Sequence, residues 1–427
     1  MAQLPRAMRP FATGQYRLLF GALTLSLFGG GMWLVALVWQ VIELGGGPLQ
    51  LSITATATSI GMVGATLIGG VVADRVPQRL ILVGIEAVKL VSMAGVAALA
   101  LTGTLELWHL VVAAALLGIG EGFFYPAYSA ILPALLPADD LLAANGIEGV
   151  LRPAAMQAAG PALAAGLIAL GGPPLAFMVI VVVHVLALAG LILMRSVPVV
   201  RDRSDDSAHP IVSVYRDMRE GVVYMVRTPW LFATLLFAFG WVLVMLGPIE
   251  VLLPFAVRDQ TGGGAGSFAF VLAAFGVGGA IGSIFVASRR LPRRYLTVML
   301  LAWGVGSVPL AVIGFTSELW VMAVAVFIVG FTGSAGQVIW GTLLQRRVPR
   351  HLLGRVSSLD FFVSLALMPV SMALAGPVGE AVGLMPTFLV AAIVPVFFAV
   401  AALLIARMPR DEIAHPLDAT APVDEAG

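Results

Sequence analysis

Gly70-Val71-Val72-Ala73-Asp74-Arg75-Val76-Pro77-Gln78-Arg79 joins two long apolar runs, Leu51–Ala73 before it and Leu80–Leu101 after it. Each run has about 20 residues, the length of helix that crosses a hydrocarbon layer. The junction is short and charged, and Pro77 lacks the N–H that a continuing helix needs. A helical hairpin that turns in water on one side of a membrane fits this pattern.

The rest of the chain repeats it. Of 427 residues, 60% are hydrophobic and 11% charged, with a mean hydropathy of +1.01. A soluble domain carries about 25% charged residues. Too few charges remain here to cover so apolar a core, so lipid must be the main solvent. Twelve spans are expected: Leu18–Val41, Leu51–Ala73, Leu80–Leu101, Trp108–Leu132, Ile147–Leu170, Leu175–Met194, Leu231–Leu253, Phe268–Ser288, Tyr295–Phe315, Leu319–Trp340, Val356–Val378 and Met385–Ile405. The run that follows Arg6, Arg9 and Arg17 has no small-residue cleavage site, so it reads as a retained first span.

Basic residues set the orientation. With the N-terminus inside, only Arg258 falls outside, Lys89 and Arg152 fall within spans, and the other 21 of the 24 Lys and Arg are cytoplasmic. This separation supports an even number of spans with both termini in the cytoplasm. Gly/Pro clusters such as Gly45-Gly46-Gly47-Pro48 and Gly171-Gly172-Pro173-Pro174 mark short outer turns.

Three features recur at about half the chain length. Asp74–Arg79 is matched by Arg289–Arg294, 215 residues on; Gly160-Pro161 by Gly376-Pro377, at 216; and Pro137 by Pro349, at 212. They divide the chain into a six-helix bundle over 1–194, a linker over 195–230, a second bundle over 231–406 and a polar, disordered tail over 407–427. The linker becomes periodic at Ile211: Ile211, Val214, Tyr215, Met218, Val222, Met225 and Val226 share one helical face. A helix lying in the headgroup layer is expected, as a tether between the halves or a regulatory element. The fold class is therefore all-α and membrane-embedded, with two pseudo-symmetric six-helix bundles, an architecture suited to rocking about a midplane site.

The opening stretch resembles the loop signature of the major facilitator superfamily between its second and third helices. Gly70, Asp74, Arg75 and Arg79 match, whereas Pro77 and Gln78 depart from the usual Gly and basic residue. Gly160-Pro161 with Gly166 resembles the antiporter motif of drug exporters, with Met156, Ala164 and Ala165 standing where that motif has glycine. Gly122-Phe123-Phe124-Tyr125-Pro126-Ala127 and Leu142-Ala143-Ala144-Asn145 are similar to the macrolide-efflux and enterobactin-exporter branch. The resemblance implies export of an amphipathic drug or siderophore-like metabolite across the bacterial plasma membrane. A proton gradient would drive it, and no cofactor is implied. It also implies that the loop latches the halves when the inside is closed. Asp74 would meet the start of the eleventh helix near Gly354–Ser357, where the helix dipole favours an anion, and Arg75 and Arg79 would meet Asp139 or Asp140. The alternative is a solvated loop that only sets topology.

Ionisable residues within spans are costly and stand out as candidates. Glu121 lies near mid-depth in the fourth span. As a carboxyl in a dry cavity it would exchange a proton near neutral pH; as a hydrogen-bonded packing residue it would not. Glu148 and Arg152, four apart, form an ion pair or a site for coupling or an anionic substrate. Glu86 and Lys89 share a helix expected at the periphery, which favours a mutual pair or snorkelling. His184 relays protons or merely packs. Asp360 reads as structural, and Glu250 as lining an outer vestibule or reaching water. Trp33, Tyr125, Trp241, Gln337 and Trp340 offer an amphipathic ligand aromatic and polar surface, or serve packing alone.

No Cys is present, and no His/Asp/Glu cluster has metal spacing. No nucleotide-binding Gly-rich loop follows a strand. An enzyme, an ATP-driven pump and a nucleic-acid binder are disfavoured. The expected partners are a small amphipathic substrate, protons and the bilayer, with the chain acting as a monomer. An importer or facilitator of a small metabolite and a lipid translocase remain alternatives.

Overall fold

A computed structural model of the chain describes residues 6–73, 75–195 and 210–417. Its helices are α1 Gly14–Glu43, α2 Pro48–Ala73, α3 Gln78–Leu101, α4 Leu107–Leu135, α5 Ala138–Pro153, α6 Gly160–Leu193, α7 Pro210–Arg227, α8 Pro229–Gly247, α9 Leu253–Thr261, α10 Ala265–Ala287, α11 Tyr295–Gly304, α12 Leu319–Arg347, α13 Arg350–Ala366, α14 Met368–Val382, α15 Leu384–Ile405 and α16 Met408–Ala414. A 3-10 segment, Val305–Gly314, prolongs α11. Among the described residues ten helices are long and apolar enough to cross a membrane, and no strand occurs.

One of the ten, Ala143–Leu193, runs for 51 residues and covers the fifth and sixth expected spans. It is not straight. Gly172 has φ +73°, a left-handed conformation that glycine adopts without a Cβ penalty. Beyond this break the chain turns back, because Gly160 and His184 both reach the same turn of α1. A Cβ on Gly160 would lie 2.6 Å from the Phe28 carbonyl oxygen, and one on Gly29 would lie 2.9 Å from His184 Nε2.

Backbone contact between helices sets the packing. A Cβ on Gly118 of α4 would meet the Thr58 carbonyl of α2 at 2.0 Å. A Cβ on Gly330 of α12 would meet the Phe275 carbonyl of α10 at 2.2 Å. Small residues at both seams let the helices touch, as membrane helices do where lipid offers no hydrophobic gain. The two glycines are 212 residues apart, near the offset of the repeated motifs. One apolar cluster uses only residues from Tyr16 to Met194, another only residues from Met225 to Met408, and the largest draws on both parts. The two parts meet where α2 packs on α14 and where α6 and the turn before it pack on α10.

The linker helix forms as α7. Met225 is buried against the second part, and Glu220, on the polar face, pairs with Arg355 of α13. Residues 196–209, in the first part of the linker, lie outside the described residues, as does most of the expected tail, 418–427. The start of that tail is ordered: α16 places the Glu412 carboxylate on the N–H groups of Leu296 and Thr297.

Candidate functional site

Two π-helical turns interrupt the helices that face the interior. Ala154–Ala159 separates α5 from α6, and Pro248–Leu252 separates α8 from α9. Both have a chemical cause. Pro161 carries no N–H for the carbonyl of Gln157, and Pro254 none for that of Glu250. Such turns occur often at functional sites, and here each delivers its polar residue, Gln157 or Glu250, to a cavity.

The first cavity, about 480 Å³, lies between the two parts of the chain. Trp33, Tyr125, Arg152, Glu121, Lys89 and His184 line it from one side, and Glu250, Met368 and Met372 from the other. The second, about 410 Å³, is enclosed by α8, α10, α12 and α13, and Glu250 lines it too. Trp241, Gln337 and Trp340 line this second cavity, while Trp33 and Tyr125 line the first.

A buried charge network borders the first cavity. Lys89 Nζ lies 2.6 Å from Glu121 Oε1, and His184 Nδ1 lies 2.6 Å from Glu86 Oε1. Ser26 Oγ donates to Glu86 Oε2 at 2.9 Å, and Lys89 reaches the same hydroxyl at 3.4 Å. Glu121 is ion-paired across helices, the arrangement of the hydrogen-bonded alternative. Glu86 and Lys89 neither pair with each other nor snorkel, because α3 turns that face inward against α4 and α6. His184 is buried and satisfied by Glu86, which fits either of its two readings. A signal for this existed: Leu82, Glu86, Lys89, Met93 and Val96 follow a single heptad-spaced stripe, and all are buried.

Glu148 and Arg152 pair at 2.9 Å, as their spacing indicates. The Arg152 guanidinium also lies over the Tyr125 ring, 5.0 Å from its centroid. Asp360 accepts a hydrogen bond from Trp340 Nε1 at 3.0 Å and lines the second cavity.

The loop signature is seen in part. Gly70 ends up in α2, and Asp74 lies outside the described residues. Arg75 is exposed. Arg79 Nε and Nη2 donate to the Leu191 and Ile192 carbonyls at 3.2 and 2.5 Å, closing the end of α6, while the side chain of Asp139 lies outside the described residues. These carbonyls are 112 and 113 residues along the chain from Arg79, so only the fold brings them together. Unsatisfied helix-end carbonyls attract cations. In the second motif Gly160 is buried against α1 and Pro161 is buried, whereas Gly166 is exposed and a Cβ on it would meet nothing within 4 Å. Ala164 and Ala165 take the buried positions.

The family model described as Major Facilitator Superfamily matches residues 19–368. The chain belongs to this superfamily. It is a multi-pass membrane transporter and not an enzyme. The chain is 30% identical over 412 residues to the multidrug efflux pump Tap of Mycolicibacterium fortuitum, covering 93% of this chain and 97% of that one. It is 25% identical over 353 residues to the enterobactin exporter EntS of Shigella dysenteriae serotype 1, covering 81% and 80%. Among solved structures the nucleoside transporter NupG superposes with a TM-score of 0.66 over 92% of this chain and 98% of that one, at 11% identity. At that identity the likeness is one of fold. The charge network stands at the wall of the first cavity only.

Proposed function

We propose that the chain exports an amphipathic small molecule by proton-coupled alternating access, with the halves 1–194 and 231–406 rocking about the cavities. The observation that carries this reading is the charge count of the buried network. Glu86 and Glu121 bring two negative charges, and Lys89 brings one positive. An uncompensated charge in a low-dielectric interior is costly. Neutrality then calls for one further proton, and the short Glu86–His184 hydrogen bond is the place to hold it. Ser26 and Lys89 link that proton to Glu121, which opens onto the cavity. A substrate entering the cavity and a proton on the network therefore act on the same set of side chains. The names of the relatives support the outward direction.

In this reading Gly70, Asp74, Arg75 and Arg79 form the cytoplasmic gate. Gly160 and Pro161, beside a π turn, form the flexing point of the fifth helix, with Glu148 and Arg152 positioning Tyr125. The test is dye efflux from proteoliposomes under an imposed pH gradient. Wild type should respond to the gradient. Glu86→Gln and the charge-balanced double variant Lys89→Met/Glu121→Gln should keep the fold and lose the response. Efflux indifferent to the gradient in wild type would sink the proton coupling. A gradient response retained by both variants would remove the network from it.

A further inference from the structure

Glu250 is unlike the other ionisable groups of the interior. Glu86, Lys89, Glu121, Glu148, Arg152 and His184 each have a charged partner within 3 Å. Glu250 has no hydrogen bond or ion pair among the described residues. Its side chain is open to cavity space, and it is the residue shared by the walls of both cavities. The π turn that places it there is a departure from regular helix that a packing residue would not need.

The second cavity adds an independent observation. Its wall holds two carboxylates, Glu250 and Asp360, and among the described residues no Lys, Arg or His lines it. Six aromatic rings do: Phe237, Trp241, Phe275, Trp303, Trp340 and Phe361. Three of them are indoles. Trp340 donates its N–H to Asp360 and Trp303 to the Gly333 carbonyl, but the buried Nε1 of Trp241 has no partner. A buried donor without an acceptor is costly and is met by a ligand or a water. Ring faces attract cations, and a counter-charge stabilises an unpaired carboxylate in an apolar cavity.

We propose that this aromatic cavity is a binding site for an organic cation, with Glu250 and Asp360 facing its charge and the rings holding its apolar body. The proposal deepens the exporter reading by giving its cargo a sign of charge, and it rests on that reading only for what binding leads to. Glu250, on the wall shared with the cavity between the halves, links the two cavities.

The test uses the purified full chain at equilibrium, with no gradient. Tetraphenylphosphonium is the probe, and tetraphenylborate, its isosteric anion, is the control. The cation should bind saturably and quench tryptophan fluorescence, and the anion should neither bind nor compete. Removing one charge-assisted interaction from such a site lowers affinity roughly 10- to 100-fold, so Glu250→Gln should weaken cation binding by that order and Glu250→Asp should restore part of it. Asp360→Asn, which keeps an acceptor for Trp340, should weaken it independently. Equal binding of both ions, or unchanged affinity in both carboxamide variants, overturns the site. Cation binding that persists while gradient-driven export fails would remove the exporter reading and leave the site standing. Proton-driven export of an uncharged dye with no cation binding would do the reverse.

Discussion

Lys89 of α3 and Glu121 of α4 meet at 2.6 Å inside the first half, with Lys89 buried and Glu121 opening onto the cavity. Breaking such a pair from one side leaves a charge with no partner. Lys89→Met should therefore destabilise the protein, toward the lower end of the ~3–5 kcal/mol typical of buried pairs because Glu121 reaches cavity water. Lys89→Met/Glu121→Gln removes both charges and should recover most of that loss. Thermal unfolding of the purified variants measures it. A double variant no more stable than the single one would mean that the pair is not the coupled unit the distance indicates.

The Glu86–His184 bond makes a different prediction, because both side chains are almost wholly buried. His184→Gln keeps a hydrogen-bond donor but cannot carry a proton. The fold should hold, with a loss of about 1 kcal/mol for an imperfect replacement bond, while gradient-driven efflux falls. His184→Leu leaves Glu86 with only the Ser26 hydroxyl and should cost more stability than the glutamine. Full gradient-driven efflux in His184→Gln would show that the imidazole serves structure alone.

How far the chain could be read from its sequence depends on which physical signal each residue carries. Helices long and apolar enough to span follow from hydropathy, because lipid imposes it along the chain. The Glu148–Arg152 pair follows from helical spacing, which is local. Partners on different helices leave no such mark. Glu86 meets His184 across 98 residues of sequence, and Lys89 meets Glu121 across 32. The inward stripe through Leu82, Glu86, Lys89 and Met93 signals that α3 buries this face, but an apolar helix in lipid is apolar all round, which blurs such stripes. The fold back at Gly171-Gly172 is legible as a turn, whereas the π turns are not, since a proline such as Pro161 marks a kink or a helix end equally. Asp74, which carries much of the family signature, lies outside the described residues.

Gly118 and Gly166 should respond oppositely to a methyl group. On Gly118 a Cβ would overlap the Thr58 carbonyl, a backbone atom that cannot rotate away. Gly118→Ala should push α4 off α2 at a cost of ~1–3 kcal/mol, the usual range for overpacking. Gly166 has nothing within 4 Å. Gly166→Ala should leave unfolding temperature and efflux unchanged despite its place in the antiporter-like motif. Impaired transport in a well-folded Gly166→Ala protein would point to a contact made only in another conformation.

The arginine-poor ends of the two halves are tied by Glu380 of α14, whose carboxylate accepts from the Leu49 N–H at the first turn of α2 at 3.0 Å. It acts as a helix cap supplied from the opposite half, satisfying a donor that α2 cannot satisfy itself. Ser52 donates to the Met372 carbonyl one turn further in, and a Cβ on Gly376 would lie 2.6 Å from the Pro48 carbonyl, so the halves touch closely here. Any opening on this side must break the Glu380 bond. Glu380→Ala should raise by a few-fold the rate at which an impermeant maleimide labels a single cysteine placed at Thr56, the size of change expected for removal of one cap. The chain has no native cysteine to confuse the readout. Glu318→Ala, at the start of α12, removes a carboxylate on the same side without touching the seam and should leave the rate as in wild type. Equal labelling in Glu380→Ala and wild type would mean that Ser52 and the close approach at Gly376 hold the seam without the cap.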